Sequence, residues 1–471
     1  MRWATVSKAA ALLSALLLAP TGANADKLQV DLSSPDSIKA AAKLVAANLY
    51  SQYPGHLPGK TPGILPGPPP AGPYYWWQAG AMWGTFIDYW FYTGDSTYND
   101  EAMRSMVFQA EPPSNSYQPQ NWTLSLGNDD QGFWGMAAML AAETNFPNPP
   151  ADQPQWLALA QAVFNTQASR WGMDYCNGGL RWQIPHTNGG YNYKNTIAQV
   201  VFMNIAARLA RYTQNQTYAE WAVRAWDWTQ GVGYITEDYN VLDGGHVEKN
   251  CTDINPVQFS ANAAILLHAV AIMYNYTNGD EIWRARVAGL LNRTVEHFFP
   301  DGIMIERACE LEDRVQCNVD QHSFKGYMHR ALATAAIVAP FTRQDVIKVL
   351  RSSTTGAVSS CLSDGTCGFR WNTGEYDGDV AHGPAGQEMS VLAALSTLLI
   401  DQDHVLKGPL TNSTGGTSKG DPNAGGDTNE FHPPKPVTTG DKAGAGIVTV
   451  VVLASFLASI VWMGAGWSEG S

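Results

Sequence analysis

Positive charge is scarce in this chain. Lysine and arginine number 29 against 42 aspartates and glutamates, giving a net charge of -13 over 471 residues. So acidic a surface repels nucleic acid and phosphate polymers, and a neutral substrate fits it better. Metal-ligand spacing is missing as well. There is no C-x-x-C and no H-E-x-x-H. His186, His246 and His322 fall in no ligand pattern and read as polar loop residues, so neither a metal nor a cofactor is expected. A P-loop, a dinucleotide fingerprint and G-x-S-x-G are also absent, which leaves nucleotide chemistry and serine-hydrolase chemistry without a signature. No strand-like alternation runs through the sequence, so an all-β fold is excluded.

The two ends of the chain read as targeting segments. Met1, Arg2 and Lys8 form a positive region, residues 9–19 are apolar, and Ala23-Asn24-Ala25 is a small-x-small cleavage site. Residues 1–25 are therefore expected to be a secretory signal peptide, with the mature chain starting at Asp26. At the other end, residues 447–463 form an unbroken apolar run, and neither lysine nor arginine follows it. That pattern fits a removed GPI-attachment tail over 447–471 better than a stop-transfer helix, which normally keeps cytoplasmic positive charge. Residues 411–446, rich in Gly, Ser, Thr, Asn, Asp and Pro, supply linker and spacer, with Asn423, Gly426 and Gly440 as candidate attachment residues. The alternative is a single membrane helix. A secreted chain with six cysteines is expected to hold three disulfides. Proximity suggests Cys309 with Cys317 and Cys361 with Cys367, leaving Cys176 with Cys251, although the sequence leaves the pairing open. Sequons stand at Asn121, Asn215, Asn250, Asn275, Asn292 and Asn412.

Residues 26–410 carry helical patterns in two alternating styles. Six runs beginning near Gln78, Asp130, Lys194, Phe259, Phe324 and Gln387 are apolar nearly all round and rich in alanine and glycine. A helix apolar on every side is buried on every side. Six amphipathic stretches alternate with them, near 34–51, 96–109, 154–170, 217–230, 279–298 and 342–353. Trp156, Leu159, Ala160, Val163 and Phe164 show the stripe of a surface helix, and Ser34-Pro35 reads as an N-cap followed by proline at N1. A repeat of roughly 50 to 65 residues predicts an all-α fold, an (α/α)6 barrel with the apolar helices inside. An open helical solenoid is the alternative. The long loops 53–75, 174–193 and 234–257 are of a size that is usually functional.

In a toroid the starts of the inner helices converge on one mouth. Those starts gather Trp76, Trp77, Gln78, Trp83, Asn128, Trp134, Lys194, Asn195, Asn262, Lys325, Gln387 and Glu388. Amides and carboxylates bind sugar hydroxyls, and aromatic faces stack on pyranose rings; core packing is the alternative for Trp76, Trp77, Trp83 and Trp134, and pairing with a carboxylate the alternative for Lys194 and Lys325. Asp243, in the loop 234–257, joins the substrate-binding candidates. Trp156, Trp221 and Trp283, on amphipathic helices, are expected in the core. Asp129-Asp130 is the sharpest local signal. Glycoside hydrolysis uses two carboxyl groups, and two like charges this close push their pKa values apart. The competing reading is a pair of helix-capping aspartates.

Tyr75-Trp76-Trp77-Gln78-Ala79-Gly80, Leu126-Gly127-Asn128-Asp129-Asp130-Gln131-Gly132-Phe133-Trp134, Cys176-Asn177-Gly178-Gly179-Leu180-Arg181-Trp182-Gln183 and Tyr193-Lys194-Asn195-Thr196 resemble glycoside hydrolase family 76. Ala308-Cys309-Glu310 and Phe324-Lys325-Gly326-Tyr327 do so too. Within that family the chain is similar to the fungal cell-wall group of mannan endo-1,6-α-mannosidases, over residues from about 30 to about 405. The resemblance implies an (α/α)6 fold and retaining chemistry on α-1,6-mannosides, with Asp129 as nucleophile and Asp130 as general acid/base. It further implies a GPI-core glycan as donor, wall β-glucan as acceptor, and residence at the outer face of the plasma membrane and the cell wall. The rival from another class is an anchored wall protein that binds glycans without catalysis, which would not need both carboxylates.

Overall fold

In a computed structural model, residues 27–311, 317–378, 383–401, 408–425 and 439–465 are described. The expected signal peptide, residues 1–25, and the candidate attachment residue Gly426 lie outside them.

The twelve helices of the repeat all form. The inner set is α2 (Trp76–Thr93), α4 (Asn128–Glu143), α6 (Thr196–Thr213), α8 (Ser260–Tyr276), α10 (Phe324–Val338) and α12 (Ala385–Leu398). Each packs on the next, and α12 packs on α2, so the ring closes and the open solenoid is excluded. The outer set is α1 (Pro35–Ser51), α3 (Asn99–Gln109), α5 (Trp156–Ser169), α7 (Gln216–Gly231), α9 (Glu281–Phe298) and α11 (Arg343–Ser359). Small residues let the rings approach. A Cβ at Gly135 of α4 would press on Val163 of α5 at 2.8 Å and on Ile205 of α6 at 3.0 Å. The cap expected at the first outer helix is present, with Ser37 N donating to Ser34 Oγ. The last outer helix runs six residues past its expected end at 353. Buried Thr354 turns its hydroxyl to Ala394 O, and Thr355 bonds back to Arg351 O, so side chains that usually interrupt a helix are accommodated here.

The first outer helix and the last inner helix of the barrel meet. Helix α1 packs against α12, Leu28 N donates to Cys361 O, and Lys27 pairs with Leu362 in an isolated bridge. The disulfides are Cys176–Cys251, Cys309–Cys317 and Cys361–Cys367, matching the pairing by proximity. A short ribbon escapes the helical pattern. Strand β1 (Tyr193–Asn195) pairs antiparallel with β2 (Gly244–His246) and joins two of the long loops at the mouth.

Part of the segment expected as linker lies on the barrel. Leu410 N donates to Glu143 O at the end of α4, and Asn412 N donates to Tyr212 O at the end of α6. The strand of chain then follows α5. Leu157 N donates to Ser418 Oγ, Asp421 N to Gln161 Oε1, and Asn165 Nδ2 to the carbonyls of Pro422 and Ala424. Helix α13 (Thr439–Ala465) is apolar, and its window Lys442–Ile460 has a mean hydropathy of 2.2 with none of it buried. Five of the six sequon asparagines are exposed. Asn275 is half-buried, with its amide oxygen taken by Arg211 and its nitrogen by Val338 O.

Candidate active site

The first turn of α4 carries the aspartate pair. Gly127 precedes it in an extended conformation, and its N–H donates to Asp130 Oδ2 at 2.7 Å. Asp129 Oδ1 accepts from the Asp130 N–H at 3.0 Å. The pair therefore does cap its helix, but it also lines a cleft of about 510 Å³ at the mouth. Glycine at 127 is a requirement of space. A Cβ there would overlap Asp129 Oδ1 and Asp130 Oδ2. The loop that carries Trp182 closes on this turn, with Asn128 N donating to Trp182 O at 2.8 Å and Ile184 N to Leu126 O at 3.0 Å.

The two carboxyls are unequal. Burial pushes Asp129 up to about 7, while backbone N–H groups and the Trp182 side chain pull the other way. Asp130 is raised well above the ordinary carboxyl range by burial, then by the Asp129 charge, and further by Asp320. Both carboxyls are raised, and because the charge of one opposes ionisation of the other, the pair keeps one proton above the ordinary carboxyl range.

Six expected residues line the cleft: Trp77, Asp129, Asp130, Asn195, Asp243 and Asn262. Trp77 stacks on Phe133 and donates its indole N–H to Asp320 Oδ1 at 3.0 Å. Asp243 Oδ2 accepts from Tyr193 OH and Asn255 Nδ2, and burial raises its pKa. Asn262 is buried, and its Nδ2 has no protein acceptor. Such a donor is costly unless something else receives it.

Seven expected substrate residues face elsewhere. Trp76 and Trp134 stack on each other inside the wall, and Trp76 donates to Gln109 Oε1. Trp83 is buried against Tyr53 and donates to Gly63 O. Gln78 caps α2 by accepting from Tyr75 N and holds Val319 O. Asn128 is spent on Arg181 O and Arg170. Lys194 donates to three carbonyls, of Gly172, Tyr175 and Gly178, so it secures the disulfide-bearing loop. Lys325 is fully buried, pairing with Glu310 at 2.8 Å and donating to Phe369 O. His322 is buried beside Phe369 and does not sit on a polar surface loop. Among the described residues no group of His, Cys, Asp and Glu could hold a metal ion.

Other cleft residues went unassigned by sequence reasoning, notably Asp320, Trp182, Gln183, Phe259 and Phe324. Trp182-Gln183 sits inside a quoted motif, and Phe259 and Phe324 sit at inner-helix starts, so those signals existed. Asp320 has no local signal. Burial pushes it up to about 6, against its bond from Trp77.

Residues 37–413 match glycosyl hydrolase family 76. The chain belongs to that family. Family 76 relatives include the mannan endo-1,6-alpha-mannosidase DCW1 of Eremothecium gossypii, 44% identical over 463 residues, 97% of this chain and 98% of that protein. A putative mannan endo-1,6-alpha-mannosidase of Schizosaccharomyces pombe is 46% identical over 407 residues, 85% of this chain and 88% of its own. Among solved structures, Dfg5 from Chaetomium thermophilum in complex with glucosamine is 52% identical, with a TM-score of 0.81, covering 85% of this chain and 98% of that one. An inactive variant of the α-1,6-mannanase GH76A of Salegentibacter, bound to α-1,6-mannotriose, shares the fold at 16% identity and a TM-score of 0.62, covering 77% of this chain and 99% of that one. The family 76 chain described here is a glycosidase with an (α/α)6 barrel.

Proposed function

We propose that this glycosidase acts on α-1,6-linked mannosides of the fungal cell wall, taking the mannose core of a GPI glycan as donor and passing it to water or to wall β-glucan. The single observation that carries this reading is the pair of adjacent buried carboxyls, Asp129 and Asp130, facing one cleft. Asp130, holding its proton, gives it to the leaving glycosidic oxygen while ionised Asp129 attacks the anomeric carbon, breaking the C–O bond and forming a glycosyl ester. Asp130 then takes the proton of the incoming hydroxyl, and the ester breaks with net retention. Supporting the substrate class are the names of the relatives, the α-1,6-mannotriose bound to one structural neighbour and the glucosamine bound to another. Tethering at the outer plasma membrane by a GPI anchor is supported by the unburied apolar helix α13.

The test compares wild type, Asp129→Asn and Asp130→Asn on an α-1,6-mannoside and on a GPI-core glycan, with and without glucan, by mass spectrometry. The expected result is turnover lowered by about 10³-fold in both variants with sugar binding kept. Transfer products only when glucan is added would establish the acceptor. Tight binding without turnover in wild type would overturn the enzyme reading for this substrate and favour an anchored glycan-binding protein.

A further inference from the structure

Arg170 stands directly after α5, and its guanidinium runs under the first turn of α4. Nε donates to Asn128 Oδ1 at 2.9 Å, one terminal nitrogen donates to Gln118 Oε1 at 3.0 Å, and the other donates to Gln131 Oε1. Every acceptor is a neutral amide. Among the described residues no carboxylate pairs with this cation, and burial alone pulls it down from its ordinary value. Arg170 is half-buried, and withdrawing a cation even partly from water with no counter-charge has a cost that packing alone does not explain.

Asn128 is the residue before Asp129, and Gln131 is the residue after Asp130. One rigid planar fork therefore grips both flanks of the pair. Asn128 is further fixed by Gln167, whose Nε2 donates to its carbonyl at 2.6 Å. We propose that Arg170 is a positioning residue for the carboxyl pair: its three-way fork sets the rotation and height of the first turn of α4, and so aims Asp129 and Asp130 at the anomeric carbon together. This inference rests on the reading that Asp129 and Asp130 carry the chemistry. Only arginine meets the requirement, because its donors are spread over a fixed plane, whereas a lysine ammonium is a single point. The same arrangement explains why amides flank the aspartates. Carboxylates at 128 or 131 would raise the pair's pKa values further and oppose ionisation of the carboxyl that must act as nucleophile.

The experiment measures kcat, KM and melting temperature for wild type, Asp129→Asn, Arg170→Lys and Arg170→Ala on an α-1,6-mannoside. Arg170→Lys keeps the charge and most of the volume. Its kcat is expected to fall about 10²-fold, the size of effect for an ångström-scale misplacement, while KM stays within about threefold. Arg170→Ala is expected to lose as much, and added methylguanidinium to restore at least a tenth of the wild-type kcat. A purely structural role would lower the melting temperature and the folded fraction, and kcat per folded molecule would then match wild type. If Arg170→Lys retains kcat within twofold while Asp129→Asn is inactive, the positioning role is overturned and the catalytic pair stands. If wild type turns over and Asp129→Asn does so equally, the pair itself is overturned, and this inference with it.

Discussion

The two ends of the barrel treat buried acids in opposite ways. Toward the far end, Glu143 is paired with Arg208 at 2.7 Å, and Asp88 is paired with Arg330, around a small internal cavity of about 40 Å³ that also touches His268. At the mouth, Asp129, Asp130, Asp243 and Asp320 line one cleft, and none of them takes part in an ion pair among the described residues. The cations at that end are turned away from the cleft, Lys194 onto carbonyls, Lys325 onto Glu310 and Arg170 onto side-chain amides. One end spends its arginines on cohesion. The other leaves carboxyls unneutralised, where raised pKa values are useful to acid–base chemistry and costly to stability.

The comparison breaks first at the far end. Glu143→Gln strands Arg208 as a buried cation, and about 3–5 kcal/mol of stability is expected to go, with kcat nearly unchanged well below the melting temperature. Denaturant unfolding beside kinetics checks it, and a loss of kcat without a loss of stability would refute it. Next comes Gly127→Ala at the mouth. Its methyl enters the space of both carboxylates, so kcat is expected to fall about 10²-fold, or about 2.7 kcal/mol, with the melting temperature moved far less.

The third prediction concerns pH. Asp129 holds its proton to about 7 in the folded state, against 3.8 ordinarily. The stability of the neutral buried carboxyl is therefore fully present below 3.8 and is lost as pH rises through 7. Asparagine does not titrate. Asp129→Asn is expected to melt above wild type at pH 8, and the gap should close toward pH 4. A gap independent of pH would contradict the raised pKa. The smallest effect is expected for Trp77→Phe. It removes the hydrogen bond to Asp320 for about 1 kcal/mol, and should raise KM a few-fold while kcat holds.

The barrel was legible because each ring leaves its own mark on the sequence. Inner helices such as α8 are apolar all round, outer ones such as α5 carry a stripe, and the starts fall within a few residues of their expected positions. The ribbon of β1 and β2 was not legible, since three-residue strands are too short to alternate. At the site, the aspartate pair and Asn262 were read from their places at helix starts. Trp76 and Trp77 show where such reasoning ends. Adjacent residues on a helix point about 100° apart, so one faces the cleft and the other joins Trp134 in the wall. Lys194 and Lys325 stood open between a substrate oxygen and a carboxylate partner, since a buried lysine looks the same in sequence either way; Lys325 takes the carboxylate of Glu310, and Lys194 takes three backbone carbonyls. Asp320 reaches the cleft on a loop whose path depends on the Cys309–Cys317 disulfide and the bond from Trp77, neither of which has a periodic trace.

Contact between α1 and α12 has a consequence for how the protein is made. The first helix finds its permanent neighbour some 330 residues later in the chain, when Leu28 reaches Cys361. Synthesis proceeds from the N-terminus at about 5–20 residues per second, so tens of seconds separate the emergence of the two partners. Throughout that interval successive inner helices can pack on one another, but α1 and one flank of α2 still lack α12. The ring can close only at the end of that interval, when α12 arrives to cover both.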